Sequence, residues 1–525
     1  MKSTRKKGTN KAMSKGLTRR DLLKASGVAV GGLALTGVVV GAGAGKVLAK
    51  QQQQCDDNEC NYPVGPGTTE KYTYPTHLSS FTLDMQPQLA SDEMRITFLG
   101  TSFPPARRAQ QMMSIFVEVG PWVPDPEGGF GKATDSFVFD CGAGALTNYG
   151  AMGIAFSRMD KIFITHLHAD HMSDLSAIYG FGPASDRKWP LYVWGQAPSG
   201  ITCPAWGNNP PTEYDDGTNA FCQNLRAAMR WHTESFSFLP TSHADYPIPT
   251  KDDWGTPCEL VPVGDDPADD GYGLVPIQLD WTAVGGVAYD NPTTGVKITH
   301  FPVIHARKGS LGYNLEWNGL SMIYTSDTRP ETVSIGQADN VDPITQVARG
   351  VDVFIHEMIL PPELLAMKNL GYAAPAPGDR AFDALEKSLT DVENNSHTPQ
   401  GAFGYLLSQI DPRPRLTVIA HFPATDDTVK CAMNSVRAHF PKGGYPEFGK
   451  DIIWSTDLMV LSVKKGTQGK PPQITQMMGN VSDYTFSPPL NYYSVKPAKY
   501  PTPTAQLDTT NLILPGDNTY CENGY

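Results

Sequence analysis

Three histidines and one aspartate fall within six residues, directly after a short apolar run, and this cluster constrains the chain more than any other feature. The run Lys161–Ile164 has the β-branched and aromatic composition of a strand, and it leads into His166, His168, Asp170 and His171. Imidazole and carboxylate groups hold zinc-class metal ions while leaving coordination positions open to water. Four such side chains on one loop therefore predict a metal site.

Short apolar runs bounded by glycine and proline recur on both sides of this cluster. They predict strands at 95–100, 115–119, 136–140, 161–164, 296–305, 313–317, 321–324, 351–355, 416–420 and 452–463. Helical patterns occur near 380–389 and 399–409. Strands that alternate with helices predict a layered α/β domain.

Composition divides the chain into four segments. Residues 1–49 have the layout of an export signal, and residues 50–92 are polar and read as a linker or arm. The folded domain is predicted at 93–465, and within it 181–292 is expected to be a long, loop-rich insertion because periodicity is weak there. Residues 466–525 form a tail rich in proline, tyrosine and asparagine.

The first 49 residues resemble a twin-arginine signal peptide. A basic stretch containing Arg19 and Arg20 precedes a glycine-rich apolar run from Val28 to about Ala44, and Ala49 offers a small residue for cleavage. The alternative is an uncleaved membrane anchor, but this run is short for a bilayer span and is thinned by glycine. We therefore expect passage through the twin-arginine export machinery to the periplasm or the extracellular space, with no stable membrane anchor.

The eight cysteines do not have zinc-finger spacing and are too few for a disulfide scaffold in 525 residues. Export to an oxidising compartment would permit disulfides between Cys55 and Cys60 and between Cys203 and Cys222. Unpaired thiols remain the alternative, because sequence does not fix connectivity.

Further motifs make the chain resemble the metallo-β-lactamase-fold hydrolases, in the branch of ribonuclease Z and its arylsulfatase-like relatives. Besides the histidine cluster, the matching motifs are T-F-L-G-T-S at 97–102, F-D-C-G-A-G at 139–144, V-I-H at 303–305, Y-T-S-D-T-R-P at 324–330, F-I-H-E-M at 354–358, H-T-P at 397–399 and I-A-H-F at 419–422. The resemblance implies an α/β fold, the αβ/βα sandwich of two mixed sheets flanked by helices.

The resemblance also implies a complete set of ligands for two metal ions. One ion would be held by His166, His168 and His305, the other by Asp170, His171 and His421, and Asp327 would contact both. Two Zn²⁺ ions are the expected cofactors, although the same donors accept Mn²⁺ or Fe. Two such ions would acidify a water molecule and stabilise a developing oxyanion at neutral pH.

Roles for the neighbouring residues follow from the same resemblance. Asp170 and His397 would be catalytic, Asp170 by receiving a proton and His397 by contacting the substrate anion or protonating the leaving group. Asp140, His356 and Glu357 would orient the ligands from behind. For His356 and Glu357 a purely structural hydrogen-bonding role is the alternative. The sequence assigns no substrate-binding residue.

The chain departs from ribonuclease Z where that family grips transfer RNA. The gripping arm lies between the third-motif histidine and the bridging aspartate, yet His305 and Asp327 are only 22 residues apart here. Residues 50–525 carry a net charge of −21, and acidic residues outnumber basic ones by more than two to one within 181–292. Attraction to a polyanion lacks its usual source, so we expect a small-molecule ester substrate and do not expect nucleic acid as a partner.

The main functional prediction is thus an exported, dinuclear zinc-dependent hydrolase of small phosphodiesters or sulfate esters. Three alternatives stay open: a ribonuclease Z-type endoribonuclease acting on RNA 3′ ends, a lactone hydrolase, and a non-catalytic binding protein on the same fold. Retention of all seven ligand types favours an enzyme over a binding protein. The sequence leaves the oligomeric state open.

Overall fold

The computed structural model describes residues 79–82, 88–123 without 106 and 108, 133–203, 210–237, 271–330, 343–424, parts of 428–437, and 450–480 without 468. The predicted export signal, Cys55 and Cys60 lie outside the described residues. No helix within these ranges is long and apolar enough to cross a bilayer.

Eighteen strands occur in the described part of the chain. In order they are β1 (Ser79–Thr82), β2 (Glu93–Gly100), β3 (Ser114–Val119), β4 (Asp135–Phe139), β5 (Lys161–Phe163), β6 (Leu191–Gln196), β7 (Thr202–Cys203), β8 (Thr212–Glu213), β9 (Leu274–Leu279), β10 (Gly286–Asn291), β11 (Val296–Pro302), β12 (Leu311–Trp317), β13 (Leu320–Tyr324), β14 (Val353–Glu357), β15 (Leu416–Ala420), β16 (Ile452–Trp454), β17 (Met459–Lys464) and β18 (Gln473–Asn480).

These strands form two large mixed sheets. The first has the order β1-β18-β17-β2-β3-β4-β5-β6-β9, and the second the order β10-β11-β12-β13-β14-β15-β16. From β4 to β9 neighbouring strands of the first sheet are parallel, as are those from β13 to β16 in the second. In open parallel sheets, binding sites form where the carboxyl ends of the strands face solvent.

Helices flank the sheets. In chain order the α-helices described are α1 (Ala145–Ala151), α2 (Ala169–Met172), α3 (Leu175–Ser185), α4 (Thr218–Ala228), α5 (Arg230–Ser237), α6 (Pro343–Val347), α7 (Pro362–Leu370), α8 (Arg380–Ser396) and α9 (Gln400–Gln409). Helices α1, α3 and α4 pack on the outer face of the first sheet, and α6, α7 and α9 on the outer face of the second.

The central core lies between the two sheets. Fully buried side chains from both inner faces meet there, including Phe98 and Phe139 from the first sheet and Leu315, Ile355 and Val418 from the second. Each large apolar side chain buried in this way stabilises the fold by about 1.5–3 kcal/mol. The predicted αβ/βα arrangement of two mixed sheets with flanking helices is therefore confirmed.

Part of the stretch 181–292 belongs to the sheets. Strands β6 and β9 complete one edge of the first sheet, and β10 lies at the edge of the second. The prediction of a loop-rich insertion was wrong for these strands. Pro276 interrupts the pattern of β9, and a proline is tolerated there because β9 is an edge strand. Strand β6 is buried on both faces and so lacks the alternation that marks a half-exposed strand.

Three further expectations need correction. The single strand predicted at 452–463 is two strands in different sheets, β16 and β17, separated by a turn in which Leu458 has a φ of 67°. Strand β18 lies within the predicted tail and pairs with β17, so the tail begins as part of the first sheet. The Cys203–Cys222 disulfide is also absent, because Cys222 is a free, buried thiol.

Candidate metal centre

The predicted ligands come from loops that follow strands at one edge of the two sheets. The histidine cluster begins three residues after β5, and His305 three residues after β11. Asp327 follows β13, and His421 comes immediately after β15. Ligands separated by more than 250 residues in the sequence thus meet because their strands end side by side.

Three residues at these strand ends adopt the left-handed backbone conformation. Asp140, Ser326 and His421 have φ values of 56°, 55° and 53°. This conformation is unfavourable for residues with a Cβ atom and concentrates at functional sites. At His421, itself a predicted ligand, the left-handed conformation turns the chain sharply as it leaves β15.

The first ligand group consists of His166, His168 and His305. The Nδ1 atom of His168 lies 3.0 Å from Nε2 of His166 and 3.0 Å from Nε2 of His305. Nitrogen ligands at about 2.0–2.1 Å from a tetrahedral zinc ion are separated by roughly 3.3 Å. The spacing of the three nitrogens therefore fits one ion between them.

These three imidazoles are held in the neutral form that a metal requires. Burial lowers the pKa of His166 and of His168, and neighbouring imidazoles lower it further. Burial likewise lowers the pKa of His305 to about 4, against the raising influence of Asp327. Lone pairs are thus available near neutral pH.

The second ligand group consists of Asp170, His171, Asp327 and His421. The Nε2 atom of His421 lies 3.4 Å from Oδ2 of Asp170 and 3.3 Å from Oδ2 of Asp327. The Nε2 atom of His171 lies 3.3 Å from the other oxygen of Asp327, Oδ1. These separations also match the edges of a metal coordination shell.

The carboxylates and imidazoles of the second group shift each other's pKa values. Burial lowers the pKa of both imidazoles, but the surrounding carboxylates, Asp327 first among them, together outweigh burial and raise the pKa of His421 to about 10 and that of His171 well above its usual range. In return, the two imidazoles hold the pKa of Asp327 well below its ordinary value despite its complete burial. The group is therefore a set of buried opposite charges.

Two buried polar atoms test whether an ion fits here. Nε2 of His171 and Oδ1 of Asp327 have no hydrogen-bond partner within the described ranges, although they face each other at 3.3 Å. Unpaired buried polar atoms are costly, and a cation between them would satisfy both. Oδ2 of Asp327 lies 3.8 Å from Nε2 of His305, so this carboxylate also reaches the first group. The residues present fit two neighbouring ions.

Asp140 supports the ligand loop from behind. Its carboxylate, fully buried, accepts hydrogen bonds from Thr165 N at 2.8 Å, from Nδ1 of His171 at 2.8 Å and from the Tyr324 hydroxyl at 2.8 Å. Because Nδ1 of His171 donates to a carboxylate, Nε2 is left to face the ligand group. The structure thus places Asp140 where the predicted orienting role requires it.

Glu357 and His397 form a second supporting pair. Nδ1 of His397 donates to Oε2 of Glu357 at 2.8 Å, and the same oxygen lies 3.4 Å from Nδ1 of His421. Burial opposes protonation of His397, but Glu357 raises its pKa above the usual value. Glu357 therefore holds the predicted catalytic histidine by a hydrogen bond and places a negative charge beside the predicted ligand His421.

His356 lies behind the site and contacts no ligand. Its ring nitrogens are engaged by the hydroxyls of Thr325 at 2.6 Å and Thr398 at 3.2 Å. Burial lowers its pKa to about 4, so the ring is neutral. The contacts of His356 match the structural alternative, because it holds together the loops that carry Asp327 and His397.

Residues that the sequence left outside the site are also located. His300 bonds the backbone oxygen of Asp280 at 2.8 Å on the second sheet, away from the ligand groups. Cys141 is a buried free thiol whose pKa burial raises well above normal, as expected for a packed residue. Sequence reasoning missed Thr165 and Ser326, whose hydroxyls bond each other at 2.8 Å beneath the ligands. Only the position of Thr165 next to the histidine cluster hinted at this role.

Comparison with known proteins places the chain near ribonuclease Z. No family model matches it. The ribonuclease Z of Treponema denticola is 38% identical over 61 residues, 12% of this chain and 20% of that protein. The ribonuclease Z of Mycobacterium bovis is 24% identical over 270 residues, 51% of this chain and 70% of that protein. The match to the first relative therefore spans only a fifth of its length.

Among solved structures, the metallo-β-lactamase-fold protein YhfI of Bacillus subtilis aligns with 71% of this chain and 100% of its own, at 11% identity and a TM-score of 0.40. The two mixed sheets, their flanking helices and the ligand groups at the strand ends are the arrangement that the motif resemblance to the metallo-β-lactamase-fold hydrolases implies. The chain has this fold and has ribonuclease Z proteins as homologues.

Proposed function

We propose that this chain is a two-metal phosphodiesterase that uses two zinc-class ions, with Mn²⁺ or Fe accepted by the same donors. The observation that carries the proposal is the position of Asp327 between the two ligand groups: Oδ1 lies 3.3 Å from Nε2 of His171, and Oδ2 lies 3.3 Å from Nε2 of His421 and 3.8 Å from Nε2 of His305. Two ions a few ångströms apart are the arrangement used to hydrolyse phosphate esters. When bound, the ions supply Lewis acidity and an activated water molecule.

The residues of the chain supply orientation and proton transfer. Asp140 fixes the ring of His171 by a hydrogen bond so that Nε2 points into the second ligand group, and Glu357 lies 3.4 Å from Nδ1 of His421 as its neighbouring negative charge. His397 is held through Nδ1, which leaves Nε2 as the nitrogen able to pass a proton to a leaving oxygen. Asp170 lies 3.4 Å from His421 and completes the second group as a proton acceptor.

Two observations bear on the substrate and point in different directions. The curated relatives are ribonuclease Z proteins, and they favour RNA over the small esters expected from charge. The structure gives some support to small esters. The RNA-gripping arm of ribonuclease Z would be inserted between His305 and Asp327, and here that whole stretch consists of a loop and the β12–β13 hairpin. We propose RNA 3′-end cleavage as the activity that the relatives favour and small-phosphodiester hydrolysis as the second candidate.

We further propose that the protein acts after export. The proposal is supported by Arg19 and Arg20 ahead of an apolar run. Export bears on the substrate, because precursor transfer RNA is a cytoplasmic molecule whereas small esters occur on both sides of a membrane.

Hydrolysis assays test the proposal and rank the substrates. The protein is stripped with a chelator, reloaded with Zn²⁺ or Mn²⁺, and assayed on bis(p-nitrophenyl) phosphate, p-nitrophenyl sulfate, an aliphatic lactone and a 3′-extended precursor transfer RNA. We expect metal-dependent cleavage of the phosphodiesters, which His168→Ala abolishes. His232→Ala is the matched control, because this histidine bonds the backbone oxygen of Gly180 outside both ligand groups.

Each outcome has a defined meaning. Cleavage of the transfer RNA precursor alone would establish the RNA activity, and cleavage of the aryl diester alone the second candidate. Metal-dependent turnover of the lactone or the sulfate only would replace the phosphodiesterase proposal. Stoichiometric metal binding without turnover of any substrate would indicate a binding protein on this fold.

A further inference from the structure

A cavity of about 290 Å³ opens beside the first ligand group. His166, His168 and His305 form one wall, and residues from the stretch 181–292 form the facing wall, among them Gln196 and Phe221. Ligand pockets commonly measure about 300–1,000 Å³, so this cavity has room for one small group and not for a duplex. A substrate held at the metal ions would extend one of its substituents into this space.

Gln196 is the unusual residue of the cavity wall. It ends β6, two strand positions beyond the pairing of Trp194 with Phe163, and so lies beside the start of the histidine loop. Only 8% of the residue is exposed, yet its side-chain oxygen Oε1 has no hydrogen-bond partner in the part of the chain that the structure describes. A buried amide oxygen without a partner is unfavourable unless a ligand supplies one.

The loop after His305 holds Gln196 in place. Gly309 has a φ of +114°, and a Cβ atom at this position would lie 3.2 Å from Cγ of Gln196. The absence of a side chain at residue 309 allows the loop to pack closely against the aliphatic part of Gln196, a residue of the cavity lining. The fixed position makes Gln196 suited to recognition of a hydrogen-bond donor on a bound group.

Charges of both signs surround the same cavity. Arg307 forms an ion pair with Asp216, and its guanidinium carbon lies 5.1 Å from the centre of the Tyr214 ring. Asp216 is itself fixed by Ser199, which donates from N at 2.8 Å and from Oγ at 2.7 Å. Together with Lys308 and Asp215, the wall carries two positive and two negative groups. Such a wall suits a ligand with one negative charge better than a run of phosphates.

We propose that this cavity binds one nucleoside unit of a phosphodiester substrate, with the Gln196 amide bonded to a donor group of the nucleoside. This inference rests on the proposed phosphodiesterase function. A nucleoside has N–H and O–H donors for Gln196 and a planar ring for the half-buried Phe221, and its single phosphodiester carries one charge toward Arg307. A simple aryl group has the ring but not the donors.

Two chromogenic substrates with the same leaving group isolate this contact. Thymidine 5′-(p-nitrophenyl phosphate) and bis(p-nitrophenyl) phosphate both release p-nitrophenolate, but only the first carries N–H and O–H donors. The metal-loaded protein is compared with Gln196→Leu, and Gln223→Leu is the matched control because Gln223 is exposed on α4 and bonds Asn219 on the same helix. Circular dichroism checks that each variant is folded.

We expect Gln196→Leu to lower the ratio of the two kcat/KM values, nucleoside over aryl, roughly tenfold, as one lost buried hydrogen bond would. Gln223→Leu should leave the ratio unchanged. Gln196→Glu, which keeps the acceptor oxygens and the shape, should recover part of the preference. A ratio that stays within twofold of the parent protein in Gln196→Leu would overturn the inference.

Calorimetric binding of thymidine 5′-monophosphate separates this inference from the proposed function. If neither ester is hydrolysed, the phosphodiesterase proposal fails, but the binding measurement still decides the role of Gln196. We expect the Kd to rise about tenfold in Gln196→Leu and not in Gln223→Leu. Equal Kd values in the parent and in both variants, or no binding to the folded parent, would overturn the nucleoside site.

Discussion

Asp140→Asn is the most informative single substitution, because Asp140 touches no metal ion and yet controls a ligand. Its buried carboxylate accepts from His171 Nδ1, Thr165 N and the Tyr324 hydroxyl, each at 2.8 Å. An asparagine has one acceptor oxygen, and its NH₂ group must face at least one of these donors. If the NH₂ group replaces Oδ2, His171 Nδ1 loses its acceptor; if it replaces Oδ1, the Thr165 N–H at the start of the histidine loop loses its acceptor. Either orientation weakens the support of the second ligand group.

The size of the effect follows from these contacts. Loss of a hydrogen-bond partner behind a metal-bound histidine typically weakens metal affinity 10- to 100-fold, or about 1.4–2.7 kcal/mol. A donor left unpaired in the core costs about 1–3 kcal/mol of folding free energy as well. We therefore expect Asp140→Asn to be a folded, less stable protein with weaker binding at one of its two metal positions.

Competition with a chromophoric chelator measures the affinities, and urea unfolding of the metal-free protein measures the stability. Asp352→Asn is the matched control, because Asp352 is also buried and accepts from Ser321 N at 2.9 Å and Arg415 Nε at 3.0 Å, at the opposite end of β14 from Glu357. It should lose stability without losing metal affinity. If both variants bound metal within threefold of the parent protein, the orienting role of Asp140 would be wrong.

Four other outcomes are expected. Elemental analysis should find two metal ions per chain. A chelator should remove the ion of the first ligand group before that of the second, because Asp327 is shared by both groups and only the second has a further carboxylate, Asp170; a single ion after full reloading would contradict this. His168→Ala and Asp327→Asn should each reduce turnover at least 100-fold while circular dichroism stays native, and activity retained in either would refute the ligand assignment. Burial raises the pKa of Asp457 to about 6 from 3.8, so in the pH range between these values the carboxyl ionises in the unfolded chain before it does in the folded one. As pH rises from 4 to 6, the free energy of unfolding of the parent protein, measured by urea titration, should therefore fall by up to about 3 kcal/mol relative to that of Asp457→Asn. The same pH dependence in both proteins would contradict the raised pKa. Arg19→Lys combined with Arg20→Lys should leave the precursor in the cytoplasm in cell fractionation, and normal export would make the arginine pair incidental.

The parts of the structure that the sequence predicted well are those governed by local chemistry. The runs around Phe98, Val117 and Val418 are apolar because they lie in the core, and each is observed as a strand. Histidine and aspartate clusters at strand ends are also visible locally, because few arrangements other than metal binding use them. Their convergence at one edge was implied by the family resemblance and not by the local pattern.

The parts that escaped prediction depend on partners distant in sequence. Gln196 reads as an ordinary end of a short apolar run, and its role as a cavity wall follows only from the pairing of β6 with β5. The family resemblance places Glu357 near the site, but its position close to both His397 and His421 requires β14 and β15 to lie side by side. Such contacts are tertiary, and neither propensity nor periodicity encodes them.

The substrate is decided by residues that are not metal ligands. The two ligand groups can act on many esters, since their contribution is confined to the reacting oxygen and the attacking water. Selectivity must come from the residues that line the cavity, which are those of the loop after His305, Gln196 and the residues around Asp216. A cavity lined by balanced charges and one buried unpaired amide distinguishes substrates by hydrogen bonding. A ligand that lacks the matching donor is rejected more strongly by such a site than a ligand lacking one methylene is rejected by an apolar pocket. Whether a phosphodiester is a good substrate should therefore depend more on whether the group next to the phosphate is a nucleoside than on how many nucleotides follow it.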